Sequence, residues 1–444
     1  VTRESEARVQ LWCTDPAPSA GDIELLVTGI GQLCTVHDPA ADARGPRRSD
    51  ALAELGIFTG AALAVADGRI VAAGDEAAVL RLLENGGDGA DPHVVDAGGR
   101  AVVPGFVDPH THAVFGRTRQ DEYERRVRGE TYLEIAAAGG GINASVRDLR
   151  ERDESDLEAL ATVRLREMLA LGTTTVEIKS GYGLTLADEL KMLRVARRAA
   201  EEASVRAVCT CLAAHEIPPE YRGRRGDYVE LVCEEVLPRV AAAGLAERCD
   251  VFCEPSVFDL AETERILRRA RELGLDICVH ADELEPFGGA QLAARLGARS
   301  ADHLIRIDAA GRAALASSDT VAVLLPGTVF SLGLATYAPA RELIADGCAV
   351  AVATDFNPGS SPIQSLPLIL SLACTQMRLT PAEALVAATL NAAWALGLAA
   401  EIGSLAPGKR ADFLLLDGDD YRLIPYRAGH NPVAAVFRDG ARVV

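Results

Sequence analysis

Between residues 102 and 400 the chain repeats one pattern eight times: a short apolar run, then a stretch with Ala, Leu, Glu and Arg at helical spacing. The runs cover 101–108, 174–179, 205–213, 250–254, 276–280, 300–304, 320–325 and 349–354. Runs that are apolar throughout belong to strands buried on both faces, the condition of a parallel sheet covered by helices. Helices are expected over 155–171, 187–203, 228–243, 261–273 and 290–296. Asp153 and Ser155 are available as N-caps for the first, and Gly172 and Gly274 as C-terminal stops. Eight strand–helix units in about 300 residues fit an α/β fold of the (β/α)8 barrel type. A doubly wound sheet is the alternative. It would carry a glycine-rich fingerprint after its first strand, and none stands there.

The two ends have a different texture. Alternating apolar residues at 61–65 and 69–74 flank Asp67-Gly68, a hairpin turn signal, and a similar pattern returns at 411–417 and 433–436. The expectation is a small β-sandwich built from both termini, 23–101 and 401–444, beside a barrel at 102–400, with 1–22 a polar, Pro/Ala-rich tail. The balance of 45 basic against 64 acidic residues, net −19, argues against nucleic acid or an anionic membrane as partner. No run approaches the roughly 18 apolar residues of a membrane span, and the start of the chain has no apolar core of a signal peptide. Ten scattered cysteines read as small buried hydrophobes of a reducing compartment, so a cytoplasmic protein is expected.

Five of the eight histidines, His110, His112, His215, His280 and His303, fall at the C-terminal ends of predicted barrel strands. Barrels of this kind carry their chemistry at that edge. In an extended segment residues i and i+2 point the same way, so His110 and His112 can reach one ion. His280 ends strand five, and Asp355 follows strand eight. Three imidazoles and one carboxylate make a suitable ligand set for one divalent ion per chain, Zn²⁺ or Fe²⁺, with room for water. Such an ion lowers the pKa of bound water toward ~7. Glu283, three residues after a ligand, is the candidate proton shuttle, and His303 can hydrogen-bond the attacking water or a developing oxyanion.

These motifs resemble the metal-dependent amidohydrolase superfamily: Pro104-Gly-Phe-Val-Asp-Pro-His110-Thr-His112, His280-Ala-Asp-Glu283, Asp302-His303 and Thr354-Asp355. Longer stretches resemble one family within it, the imidazolonepropionases of histidine degradation. They are Val114-Phe-Gly-Arg-Thr-Arg119, Tyr132 to Ile142 with its three glycines, Glu177-Ile-Lys-Ser-Gly-Tyr182-Gly-Leu184, His215-Glu-Ile-Pro-Pro-Glu-Tyr221 and Asp355-Phe-Asn-Pro-Gly-Ser360. The resemblance runs from about residue 25 to 440 in order and implies a barrel with a terminal β-sandwich. It places the metal on His110, His112, His280 and Asp355, with His303 beside it. It places substrate contacts on Arg119, Tyr182, His215, Glu283, Asn357, Gly359 and Ser360. The implied reaction opens the imidazolone ring of 4-imidazolone-5-propanoate with water to give N-formimino-L-glutamate. Arg119 offers a bidentate partner for the substrate carboxylate, and Tyr182, between two glycines, reads as an exposed turn presenting a phenol. The family also implies a homodimer.

Two features depart from the wider pattern. Lys179 ends strand two, whereas binuclear relatives carry a bridging lysine at the end of strand four, occupied here by Cys253-Glu254. One metal is therefore expected, with Lys179 a charged neighbour of the site. The N-terminal tail carries no recognisable motif. Other functions compatible with these residues are a heterocycle deaminase with the same metal site and, with the ligands all present, least of all a non-catalytic scaffold.

Overall fold

The computed structural model describes residues 11–15, 22–42, 44–84, 92–131, 134–135 and 138–444. Its centre is a sheet of eight parallel strands in chain order: Phe106–Asp108, Thr173–Lys179, Arg206–Ala214, Arg248–Cys253, Asp276–Ala281, Ser300–His303, Val321–Leu324 and Val350–Val352. Five of these eight strands are buried at every residue. The sheet rolls up until its edges meet just past the last strand. There Thr111 bridges Phe356 in parallel, and the amides of Asp355 and His112 donate to the carbonyls of His110 (3.0 Å) and Phe356 (2.8 Å). Asp108 fastens the same seam, accepting from the Thr354 amide (3.1 Å) and hydroxyl (2.6 Å). Helices fall where the periodicity places them, as at Glu154–Ala170, Leu186–Glu202, Leu260–Glu272 and Gly289–Leu296. Asp153 takes the N-cap position of the first but makes no side-chain capping bond.

Strands from both termini form a second sheet of nine, hydrogen-bonded as one continuous sheet, with the Ile57–Ala66 and Arg69–Asp75 hairpin turning at Asp67-Gly68. Phe413 and Phe437 stack at 4.4 Å inside its own core of Val27, Ile30, Leu63 and Leu415. Leu11–Cys13, which the sequence assigns to a polar tail, is an edge strand paired with Ala72–Gly74; residues 1–10 and 16–21 of that tail lie outside the described residues. The apolar run at 101–108 is not one strand. Ala101–Pro104 pairs with Phe413–Leu416 in the terminal sheet and Phe106–Asp108 opens the barrel. The chain crosses at Gly105, where a Cβ would collide with Thr174, so hydrophobicity alone cannot show the break.

Candidate active site at the mouth of the barrel

Rolling the sheet closed brings the two ends of its sequence together at one rim. Asp355 Oδ1 lies 3.5 Å from His110 Nε2 and 3.6 Å from His112 Nε2. The His280 ring stands 4.5 Å from that of His110, and His303 lies 5.2 Å from His280 and 5.4 Å from His110. Potential ligand atoms form two overlapping groups, each within 4.8 Å: His110, His112 and Asp355, and His110, His280 and His303. His303 and Asp355 both sit in the left-handed region, φ +75° and +51°, so the chain turns sharply as it leaves each strand. Such strain outside glycine gathers where side chains must be aimed.

Buried ring nitrogens almost always have a hydrogen-bond partner. Here Nε2 of His110, both ring nitrogens of His280, Nδ1 of His112 and Nδ1 of His303 have none. Imidazoles gathered beside one carboxylate, with unshared ring nitrogens among them, are the donor set of a divalent transition metal. These residues fit such an ion.

Beneath the histidines lies a layer of buried charge. His110 Nδ1 donates to Asp302 Oδ2 at 2.7 Å. Asp250 accepts the His280 amide on Oδ1 (3.2 Å) and holds Oδ2 2.8 Å from His280 Nδ1. Lys179 Nζ lies 2.8 Å from Asp250 Oδ2, 2.8 Å from Glu177 Oε2 and 3.5 Å from Asp302 Oδ2. Burial opposes the charge on Lys179, yet Asp250 and the other acids around it hold its pKa well above the usual value. Burial and Lys179 also oppose protonation of His110, but Asp302 and Asp355 outweigh them and lift it to about 9. The sequence marks Lys179 as a charged neighbour of the site but does not mark Asp250. The signal is the acid itself, because Asp250 and Glu177 lie inside buried strands, and a buried charge needs a partner.

Glu283 Oε1 lies 3.6 Å from His303 Nδ1. Its amide donates to Glu254 Oε1 at 2.7 Å, a bond that sets the loop after strand five. Burial, then the charges of Asp355 and Glu254, push the Glu283 carboxyl up to about 8. A carboxyl so placed changes protonation near neutral pH, as an acid–base shuttle must. Burial lowers the His303 imidazole to about 3, so it is neutral there.

The expected substrate residues gather around the same mouth. His215 donates from Nδ1 to the Gly181 carbonyl (3.0 Å), which leaves Nε2 as an acceptor, and its ring stacks on His112 at 5.1 Å. Tyr182 corrects the sequence reading: its turn is not exposed. The residue is 3% accessible and its ring lies 5.5 Å from His215 and 5.9 Å from His112. The amides of Gly181 (3.2 Å), Gly183 (2.9 Å) and Leu184 (2.7 Å) donate to the buried Glu189 carboxylate, which draws the turn inward. Arg119 already has a carboxylate partner, Glu122 at 2.6 Å, and its side chain is only 8% exposed. Its Nε is buried without a partner, so the guanidinium is not saturated. Gly359 packs against that guanidinium so closely that a Cβ would collide with it.

Asn357 ties together its own loop. Its Nδ2 donates to the Asp355 carbonyl (2.7 Å) and Ser360 Oγ (2.9 Å), while Oδ1 accepts from the amides of Gly359 (2.8 Å) and Ser360 (2.7 Å). The amide is filled by its own loop. Of the glycine-bearing stretch at 132–142, Tyr132, Leu133, Ala136 and Ala137 lie outside the described residues; Gly141 donates to Glu122 Oε1 at 3.1 Å, tying it to the Arg119 pair.

Comparison with known proteins places this geometry. Residues 101–443 match the model of the amidohydrolase family. An imidazolonepropionase of Symbiobacterium thermophilum is 51% identical over 423 residues, which is 95% of this chain and 97% of that protein. One from Solibacter usitatus is 50% identical over 92% of this chain and 96% of its own. Among solved structures, a zinc-bound adenosine deaminase from Xanthomonas campestris superposes with TM-score 0.68 at 21% identity, covering 94% of this chain and 92% of that one. E. coli guanine deaminase superposes at 0.69 and 16%, covering 95% and 99%. The two structural neighbours share the fold; the two sequence relatives share half of their residues.

Proposed function

Since the chain belongs to the imidazolonepropionases within the amidohydrolase family, we infer that His110, His112, His280 and Asp355 hold one divalent metal ion, Zn²⁺ or Fe²⁺. Around it Glu283 and His303 carry out the proton chemistry of ring opening. The enzyme is a hydrolase of the imidazolone ring: water adds across the ring C–N bond and 4-imidazolone-5-propanoate becomes N-formimino-L-glutamate. The observation that carries the site reading is the set of buried, unpartnered imidazole nitrogens converging beside Asp355.

A bound metal of this kind lowers the pKa of water and polarises a carbonyl. The chain's own groups supply the rest. Glu283, raised to about 8, takes the proton from the water that adds to the ring carbonyl carbon. It returns that proton to the ring nitrogen as the C–N bond breaks, so atoms and charge balance. His303, neutral and 3.6 Å from Glu283, is placed to hold the same water or the developing oxyanion. Tyr182 and His215 form one wall, where the ring can lie against them. Arg119 meets the propionate at the opposite loop, using donors that Glu122 does not take. Gly359 and Ser360 bring backbone and hydroxyl to the same end, and Asn357 holds their loop in shape.

No helix among the described residues is long and apolar enough to cross a membrane, and all ten cysteines are free thiols, in keeping with a cytoplasmic enzyme. The family resemblance carries the reading of a homodimer, for which light scattering would return twice the 46.8 kDa chain mass. The function is tested with freshly made imidazolone propionate. Loss of its ultraviolet absorbance, with formiminoglutamate as product and no free ammonia, supports the reading; ammonia as a stoichiometric product would instead indicate a deaminase.

A further inference from the structure

His110 follows the first barrel strand and His280 lies on the fifth, yet each turns Nδ1 to a carboxylate: His110 to Asp302 at 2.7 Å, His280 to Asp250 at 2.8 Å. The two carboxylates converge on one ammonium. Lys179 Nζ lies 2.8 Å from Asp250 and 3.5 Å from Asp302 and takes Glu177 as its third neighbour at 2.8 Å. All four side chains are inaccessible to solvent. Arg248 reaches only the far acid, 3.9 Å from Glu177. Removed from water, Asp250 and Asp302 would repel one another through a low-dielectric interior, so their separation depends on the cation between them.

That separation has a chemical consequence. A carboxylate that accepts an imidazole Nδ1–H fixes the tautomer and the ring angle, leaving Nε2 with its lone pair free. Nε2 of both His110 and His280 is buried and unpartnered; His110 Nδ1 is hydrogen-bonded to Asp302, whereas His280 Nδ1 faces Asp250 Oδ2 at ion-pair distance without a formed hydrogen bond. We propose that Lys179 is a positioning residue for the metal centre: by drawing Asp250 and Asp302 together beneath the site, it sets the tautomer of His110 and the aim of both His110 and His280. The inference rests on the reading of those two histidines as ligands. Lys179 touches neither imidazole; it acts through the two aspartates, one on each arm.

The test uses the full chain and two probes, zinc affinity by chelator competition and the visible spectrum of the cobalt-loaded protein. Lys179→Met keeps the length of the side chain and removes its charge. Loss of groups that orient metal ligands costs roughly 10–100-fold in affinity, and that loss is expected here, with a shifted cobalt spectrum at full occupancy. Lys179→Arg restores the charge and is expected to recover part of both. Phe413→Leu, which loosens the core of the terminal sheet, serves as the control for general destabilisation and is expected to match wild type in both. Asp250→Asn, which keeps shape and leaves the Asp302–His110 arm in place, covers the case in which Lys179→Met does not fold; a smaller affinity loss and a spectral change are expected. Wild-type affinity and spectrum in Lys179→Met, or in Asp250→Asn, would overturn the proposal, as would an equal loss in Phe413→Leu. A wild-type protein that binds neither ion would instead overturn the ligand reading, and the role of Lys179 with it.

Discussion

Beneath the histidines, the contacts that matter join residues far apart in the chain: His110 and Asp302 are 192 positions apart, and Lys179 draws in Asp250 and Asp302 from strands four and six. At the rim the contacts are local. Arg119 pairs with Glu122 three residues on, and Asn357 ties together the turn from Asp355 to Ser360. The floor therefore exists only once the barrel is closed, while the Arg119 and Asn357 loops take much of their shape from their own sequence. Metal chemistry needs the first kind of support, since ligand angles must survive thermal motion. Substrate choice can be built from the second kind, since loops change without disturbing the barrel.

Breaking the floor is expected to have the largest effect. His110→Ala or Asp355→Ala removes a proposed ligand from the centre of both donor groups or from the seam. Metal retention and turnover are expected to fall together to background, measured by metal analysis and activity on one sample. Glu283→Gln comes next. It preserves shape but cannot accept a proton, and kcat is expected to fall roughly 10²–10⁴-fold, with metal content and KM little changed. Near-normal kcat would move the proton role to His303.

The rim is tested by Arg119→Met. Truncating one partner of a buried charge pair costs about 2–5 kcal/mol, or roughly 30-fold to a few thousand-fold at about 1.4 kcal/mol per decade. That loss is expected in kcat/KM for the natural acid, and hardly at all for an analogue with a neutral side chain. Arg119→Lys is expected to recover only part, because lysine keeps the charge without the planar fork. Since Glu122 holds the guanidinium beforehand, an equal loss on both substrates would mean that Arg119 shapes the loop rather than reads the carboxylate.

The smallest expected effect is one of pH on the metal-free protein. His110 is raised to about 9 there, above its ordinary 6.5. Its contribution to stability is therefore fully present below about 6.5 and is lost as pH rises through 9. Metal must displace that proton, so apparent zinc affinity is expected to climb about tenfold per pH unit between pH 7 and 8.5 and to level off above 9, as measured by competition titration. A flat profile would mean that His110 is neutral before the metal arrives.

The same contrast explains what could be read from the sequence. The eight apolar runs carried the barrel because burial on both faces leaves a continuous signature. His110, His112, His280 and Asp355 were legible because strand ends of a barrel share one rim, so strand order alone brings them together. Asp250 was overlooked as a partner because its role depends on which strand lies beside it and which face it takes. Tyr182 was misread as exposed because nothing within its turn reveals that His112 and His215 close over it. The break at Gly105 was invisible because both pieces of the run are equally apolar and belong to different sheets.

The central claim is that one metal at this rim, with the chain's own acid and base, opens an imidazolone ring. It is tested most directly by titrating metal-free protein with zinc or ferrous ion while following turnover of imidazolone propionate. Activity is predicted to rise linearly to one equivalent per chain and then hold constant, with formiminoglutamate formed mole for mole. Activity that keeps rising to two equivalents, or a fully loaded enzyme that leaves the imidazolone untouched, would contradict it.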